Sequence, residues 1–329
     1  MLTHMERVRR ALAFQETDRI PYSLWMHYPN RDRHPRRLAE LACADQKKYD
    51  LDFVKFMPYG MYSTVDFGMD LDVFSGFVDP PVGHKPLIET AKDWDKIRPV
   101  SGTEGEFAIV LEAQRIFFGL TDQRIPFLQT VFSPLTTALK MCGGPALLKG
   151  HLDENPEKVC RALEIITKTT RDFAQAAVSL GADGLFFASQ MSSYSLLTVA
   201  EHERYVKTYD MEILNAVAAH TWFNVLHLHG SNVMIKEVQE YPVHALSWHD
   251  RDDGPSMDEV RSFSEKAFVG GLSWGENWLG KTDAEVEAEV REVAARHEGK
   301  GILLGPGCVI SPSTPPERLD LVRRVVCSL

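Results

Sequence analysis

The sequence has no apolar run approaching the roughly 20 residues a membrane-spanning helix needs, which excludes an integral helical membrane protein. Cysteine is scarce: Cys43, Cys142, Cys160, Cys308 and Cys327 are odd in number and widely scattered. That excludes a disulfide framework and fits a reducing cytoplasm. Positive charge is also short, with 36 Lys and Arg against 46 Asp and Glu and a formal net charge of −10. The balance argues against nucleic acid or an anionic membrane surface as partner, because both want a basic face. Low-complexity stretches, short repeats and composition shifts are lacking too, so residues 1–329 read as one domain. Residues 1–15 mix Glu6, Arg7, Arg9 and Arg10 with Val8, Leu12 and Phe14. This describes an amphipathic helix and not the unbroken apolar stretch of a signal peptide.

What is present is material for a large core, 44% hydrophobic residues, arranged in an alternating pattern. Short apolar runs rich in Val, Phe, Leu and Ile recur at Arg19–Trp25, Phe53–Met57, Pro126–Phe132, Gly184–Ala188, Phe223–His229, His244–Trp248, Phe268–Leu272 and Ile302–Leu304. Continuous hydrophobicity of this kind marks parallel strands buried on both faces. Helical periodicity lies between most of them, over Pro156–Leu180, Val199–His220, Ser256–Ser264 and Asp283–His297. Asp153 or Asn155 is a candidate cap for the first of these and Gly181 its stop. Eight strands alternating with helices predict an α/β fold, a (β/α)8 TIM barrel, over an open doubly wound sheet. Tyr59–Val100 is long for a connection and carries Gly60, Gly68, Gly76, Pro80, Pro81 and Gly83. It reads as an insertion at about 59–100, either a hairpin over the barrel mouth or a loop packed outside.

In such a barrel the chemistry comes from the C-terminal strand ends and the loops that follow them. The fifth candidate strand ends in His227-Leu228-His229-Gly230 and the eighth runs into Gly305-Pro306-Gly307-Cys308. Residues two apart on a strand share a face, so two imidazoles there can close on one metal ion. The alternative is that the histidines are structural and hydrogen-bonded in the core, and that the thiol is inert. Two neutral nitrogens and one thiolate make a borderline-soft site suited to zinc and poorly suited to magnesium or calcium. Three protein ligands, His227, His229 and Cys308, leave a fourth position open for water or substrate. His249, Asp250, Glu276 and His27 are candidates for general acid/base or supporting roles. Trp25, Tyr59, Tyr194, Trp248 and Trp274 are candidate walls for a flat apolar ligand.

These residues bring a family into view. Met5-Glu6-Arg7-Val8-Arg9-Arg10-Ala11-Leu12 with Asp18-Arg19-Ile20-Pro21, the stretch Pro86–Pro99, and the ending Leu304-Gly305-Pro306-Gly307-Cys308-Val309-Ile310-Ser311-Pro312 resemble the uroporphyrinogen decarboxylase superfamily. The resemblance covers essentially the whole chain and implies a (β/α)8 barrel. True decarboxylases of that superfamily carry an arginine-rich segment after strand one, an aspartate after strand two and a histidine after strand eight. Here His27, Pro58 and Cys308 stand in those places. The sequence is nearer the corrinoid-linked methyltransferase branch, whose thiol-acting members show His-x-Cys after strand five and Cys after strand eight. His227 and Cys308 match that pattern, and His229 replaces its cysteine.

The resemblance therefore implies a zinc-dependent methyltransferase that moves a methyl group between a methylcorrinoid and a thiol or similar acceptor. Cobalamin is the methyl carrier implied, supplied free or on a separate corrinoid protein, with a homo-oligomer left open. Replacing a thiolate by imidazole makes the metal a stronger Lewis acid, which leaves open a second reading. That reading is a metal-dependent lyase, decarboxylase or hydrolase acting on a small carboxylated or aromatic substrate.

Overall fold

The computed structural model of the protein describes residues 1–71, 85–121, 124–297 and 300–329. Seven parallel strands form one curled sheet among the described residues: β1 Val54–Phe56, β2 Phe127–Phe132, β3 Gly184–Ser189, β4 Val225–Leu228, β5 Ala245–Ser247, β6 Ala267–Leu272 and β7 Ile302–Pro306. Their spatial order is their chain order, β1 to β7, each parallel to the next. Every strand residue is buried, because helices cover one face and the other is enclosed by the curl.

Where a strand is expected over Arg19–Trp25, the chain makes single bridges instead, Tyr22 to Leu304 and Met26 to Ile310. The bonding is nonetheless two-sided. Leu304 N donates to Pro21 O (2.8 Å) and Ser23 N to Leu304 O (3.0 Å), while Asp52 N donates to Tyr22 O (2.8 Å). This stretch thus lies between β7 and the approach to β1. Asp52 reinforces it from below, its carboxylate accepting from Tyr22 N (3.0 Å), Arg7 Nη1 (2.6 Å) and Arg19 and lying 2.9 Å from His4 Nδ1.

Side chains on the enclosed face follow from register. Phe53, Met57, Leu128, Phe186, Val225, Ala245, Val269 and Leu303 make one cluster with Trp25. Val54, Phe56 and Phe127 face outward against helices Pro35–Tyr49 and Gly105–Leu120. Ala188, His227 and Ser247 are direct partners across β3, β4 and β5, so all three share the enclosed face near the strand ends.

The helices largely follow the periodicity. Helix Pro156–Ser179 differs at its start: Asn155 makes no capping bond, and Asp153 belongs to the preceding helix Pro145–Glu154. Pro156 in the first turn has no N–H to satisfy, which reduces the need for a cap. The expected helix over Val199–His220 is present as Val199–His202 and Thr208–Ala218, joined by a π-helical turn at Glu203–Lys207.

Of the insertion, the described residues include the short helix Tyr62–Val65 and the 3-10 turn Asp93–Lys96, and no strand. Ile88, Trp94 and Ile97 pack among Leu148, Leu152, Val159 and Leu163. Gly76, Pro80, Pro81 and Gly83, part of the stretch read as either a hairpin or an outer loop, lie outside the described residues.

Candidate metal centre

The centre grows from three strand ends. His227, the third residue of β4, is buried with its ring stacked on Phe186 (centroids 5.4 Å) and its Nδ1 3.2 Å from Ser247 Oγ. Its Nε2 is buried and has no hydrogen-bond partner. His229 lies just past the strand, its ring centroid 6.2 Å from that of His227, and Gly230 turns the chain away at φ +82°.

His249 lies two residues beyond β5, on the face that Ser247 already shares with His227. Its ring is 4.6 Å from His229 and 5.8 Å from His227. Asp253 Oδ2 sits 2.6 Å from His249 Nδ1, so the carboxylate takes that N–H and turns the bare Nε2 inward. That Nε2 too is buried without a partner.

Cys308 comes from the loop after β7, its Sγ 3.7 Å from His229 Nδ1. Gly307 permits the approach: a Cβ there would lie 3.1 Å from His249 Cα and 3.3 Å from Trp248 O. The donor atoms of His227, His229, His249 and Cys308 all lie within 4.8 Å of one another. Four donors on a tetrahedral zinc stand about 3.3–3.8 Å apart, given zinc–nitrogen and zinc–sulfur bonds of about 2.0–2.3 Å. A small contraction closes the group on an ion.

Electrostatics point the same way. Burial lowers the pKa of all three imidazoles, His229 to about 4, so the rings are neutral and their nitrogens available. Burial pushes the Cys308 thiol up, opposed by the charge of Lys55. A buried thiol beside unpartnered imidazole nitrogens is a donor set awaiting a cation, which supplies what the thiolate lacks.

The centre opens into a cavity of about 1020 Å³. Of the residues singled out in the sequence, His27, Tyr59, His227, His229, Trp274, Glu276 and Cys308 line it. His27 Nδ1 is 3.2 Å from Asp32 Oδ2, and the Trp274 ring packs on His249 with centroids 4.4 Å apart. His249 stands behind it among the donors, and the rest lie apart from it. Trp25 fills the enclosed core against Phe53 and Phe186. Trp248 packs edge-on against Phe268, and its Nε1 donates to Pro255 O. Tyr194 is exposed and its hydroxyl donates to Glu237, while Asp250 accepts from the backbone N of Gly271 (3.1 Å).

Two features go beyond the sequence reading, which gave His249 an acid/base or supporting role and passed over Lys55. His249 belongs with the metal donors by position, although it follows no ligand spacing. Lys55 lines the cavity, and its signal was the alternation of Phe53, Lys55 and Met57, which puts the lysine on their enclosed face.

Comparison with known proteins agrees with this architecture. The family model described as uroporphyrinogen decarboxylase (URO-D) matches residues 3–328. The methylcobamide:CoM methyltransferase MtbA of Methanosarcina acetivorans is 24% identical over 339 residues, covering 97% of this chain and 96% of that protein. A uroporphyrinogen decarboxylase of Geobacter sp. is 26% identical over 272 residues, covering 78% and 76%. A solved methyltransferase from Methanosarcina mazei superposes with a TM-score of 0.80 at 19% identity, covering 100% of this chain and 99% of that one.

Proposed function

The chain belongs to the uroporphyrinogen decarboxylase (URO-D) family, and from that premise we propose that it is a zinc-dependent methyltransferase passing a methyl group between a methylcorrinoid and a thiol or similar acceptor. The observation that carries the reading is the donor group at the cavity floor: four nitrogen and sulfur donors within 4.8 Å, two of the imidazole nitrogens buried and unpartnered. True decarboxylation in this family calls on arginine, aspartate and histidine where this chain has His27, Pro58 and Cys308. The names of relatives such as MtbA, a methylcobamide:CoM methyltransferase, support the choice of reaction.

His227, His229 and Cys308 would hold the ion, with His249 as fourth ligand or as the base that takes the acceptor's proton. Bound there, zinc supplies a Lewis acid that lowers the pKa of a thiol or water in its sphere. The chain's own residues do the rest. Asp253 orients His249, Trp274 and Tyr59 wall the cavity, and His27 and Glu276 stand at its surface as proton-handling groups. Asp250, tied to the backbone of β6, is a positioning residue for the loop that carries His249. We read Pro21–Leu24 as an eighth strand closing a (β/α)8 barrel, supported by its bonds to Leu304 and Asp52. The methyl donor would arrive free or on a separate corrinoid protein.

The test mixes zinc-loaded protein with methylcobalamin and a panel of thiols and follows the cobalamin spectrum. Demethylation that depends on both thiol and protein is expected. An unchanged spectrum with every acceptor counts against methyl transfer and turns attention to the lyase or hydrolase reading.

A further inference from the structure

Lys55 sits in the cavity wall, only 9% exposed. A buried ammonium ordinarily has a carboxylate beside it, because an unpaired charge away from water is costly. Among the described residues Lys55 has none. Its Nζ lies 3.3 Å from Met57 Sδ, 4.3 Å from the centroid of the Phe186 ring and 5.1 Å from that of Trp25. Ring faces and a thioether hold a cation in place without neutralising it. Burial pushes its pKa down to about 8, with Cys308 opposing the shift.

A second donor waits nearby. Lys55 pairs in register with Leu128, so Thr130, two residues on, shares the enclosed face one pleat nearer the mouth. Thr130 lines the same cavity, and its buried hydroxyl has no partner. Among the described residues this part of the wall offers an ammonium and a hydroxyl and no anionic acceptor. Charge counting agrees, since a divalent ion with three neutral imidazoles and one thiolate keeps one positive charge and Lys55 adds another. The Cys308 thiolate does not answer that need, because it is spent on the metal.

We propose that Lys55 is a specificity-determining residue that, with Thr130, seats a carboxylate or similar anionic group of the methyl acceptor while the acceptor's sulfur reaches the His/Cys centre. The proposal rests on the methyl-transfer reading. An acceptor with only an uncharged tail leaves the ammonium buried and unanswered.

Two thiols of one length test it, 3-mercaptopropionate and 3-mercaptopropan-1-ol, titrated calorimetrically into zinc-loaded protein. The wild-type chain should bind the charged thiol about 10- to 100-fold more tightly, the range of a hydrogen bond to a charged group. Lys55→Met, of matching shape, should erase the preference at unchanged zinc content, and Lys55→Arg should keep it. A zinc-loaded wild-type chain that binds both alike, or a Lys55→Met chain that keeps the preference, overturns the assignment and leaves methyl transfer standing. Thr130→Val serves where Lys55→Met does not fold: it should narrow the preference, and a preference unchanged there overturns the assignment. A chain that holds no zinc removes the metal mechanism and the acceptor site together.

Discussion

His249 is held from behind by Asp253 and from the side by Trp274, an arrangement that fixes which nitrogen faces the other three donors. Asp253→Asn loses the charge that favours this tautomer, and with His249 as the fourth ligand zinc affinity should fall about 10- to 100-fold, as read by chelator competition. The same assay assigns His249 itself. A His249→Ala chain that binds zinc more weakly marks it as a ligand, whereas full zinc binding with lost turnover marks it as the base. At this scale the sequence was legible where spacing speaks. His227 and His229 stand two apart at a strand end, and Cys308 follows a strand in a Gly-Pro-Gly setting. His249 has no such neighbour, and its place in the group depends on the register of β4 and β5, which no local pattern reports. A lone lysine in an apolar run, as at Lys55, reads most simply as solvent-facing until its strand is placed.

Among the elements, the helix interrupted by the π-helical turn at Glu203–Lys207 carries two buried ionisable groups inward, His202 and Asp210. Ser189 Oγ donates to Asp210 Oδ2 (3.0 Å), Ser189 and Ser192 are 2.9 Å apart, and Ser192 Oγ lies 3.1 Å from His202 Nε2. The hydroxyls of Ser133 and Tyr241 also face Asp210. Burial raises the Asp210 carboxyl to about 7 and lowers His202 to about 4. The signs oppose. Between about pH 4 and 6.5 the unfolded chain has released the aspartate proton that the native chain keeps, so stability falls as pH rises. Over the same window the unfolded histidine holds a proton that the native one lacks, so stability rises with pH. The two slopes cancel until about pH 6.5, and only the aspartate contribution continues to about pH 7. Asp210→Asn leaves the histidine slope alone. Its stability relative to wild type should climb from pH 4.5 to 7 and level off above, as read from urea midpoints. An offset that stays flat with pH would show that Asp210 is not shifted as described. The strands that carry this network were legible because double-sided burial leaves continuous apolar runs. The π-helical turn was not, since one extra residue in a turn leaves the apolar pattern nearly intact.

For the whole molecule, the order of strand and helix was readable from alternation alone, and each of the seven strands falls within or overlaps a predicted run. The Arg19–Trp25 run is the exception: it makes one single bridge, at Tyr22, with another just past it at Met26, and a side chain helps to secure it. Asp52, fully buried, joins Arg7 of helix His4–Leu12, Arg19 and the backbone of Tyr22. Such a long-range cluster leaves no local trace in the sequence. Asp52→Asn removes the carboxylate that Arg7 and Arg19 share, with side chains only 3% and 11% exposed, while Arg7 keeps Asp18 and Arg19 keeps Asp50, and should cost about 1–3 kcal/mol. A lowered urea midpoint at unchanged slope checks it, and a loss within error would mean the cluster is incidental.

The spread of the donor atoms along the chain has a consequence of another kind. Residues 227, 229 and 249 reach the centre from the ends of β4 and β5, while residue 308 comes from the far side of β7. An ion gripping all four is a cross-link across some eighty residues of polypeptide, formed only once β5, β6 and β7 have assembled in register. Metal loading would then act as a clasp on the C-terminal half of the sheet. The melting temperature should rise with free zinc in the logarithmic manner of a ligand that binds only the folded chain. The grip that prepares the acceptor would at the same time certify that the fold around it is complete.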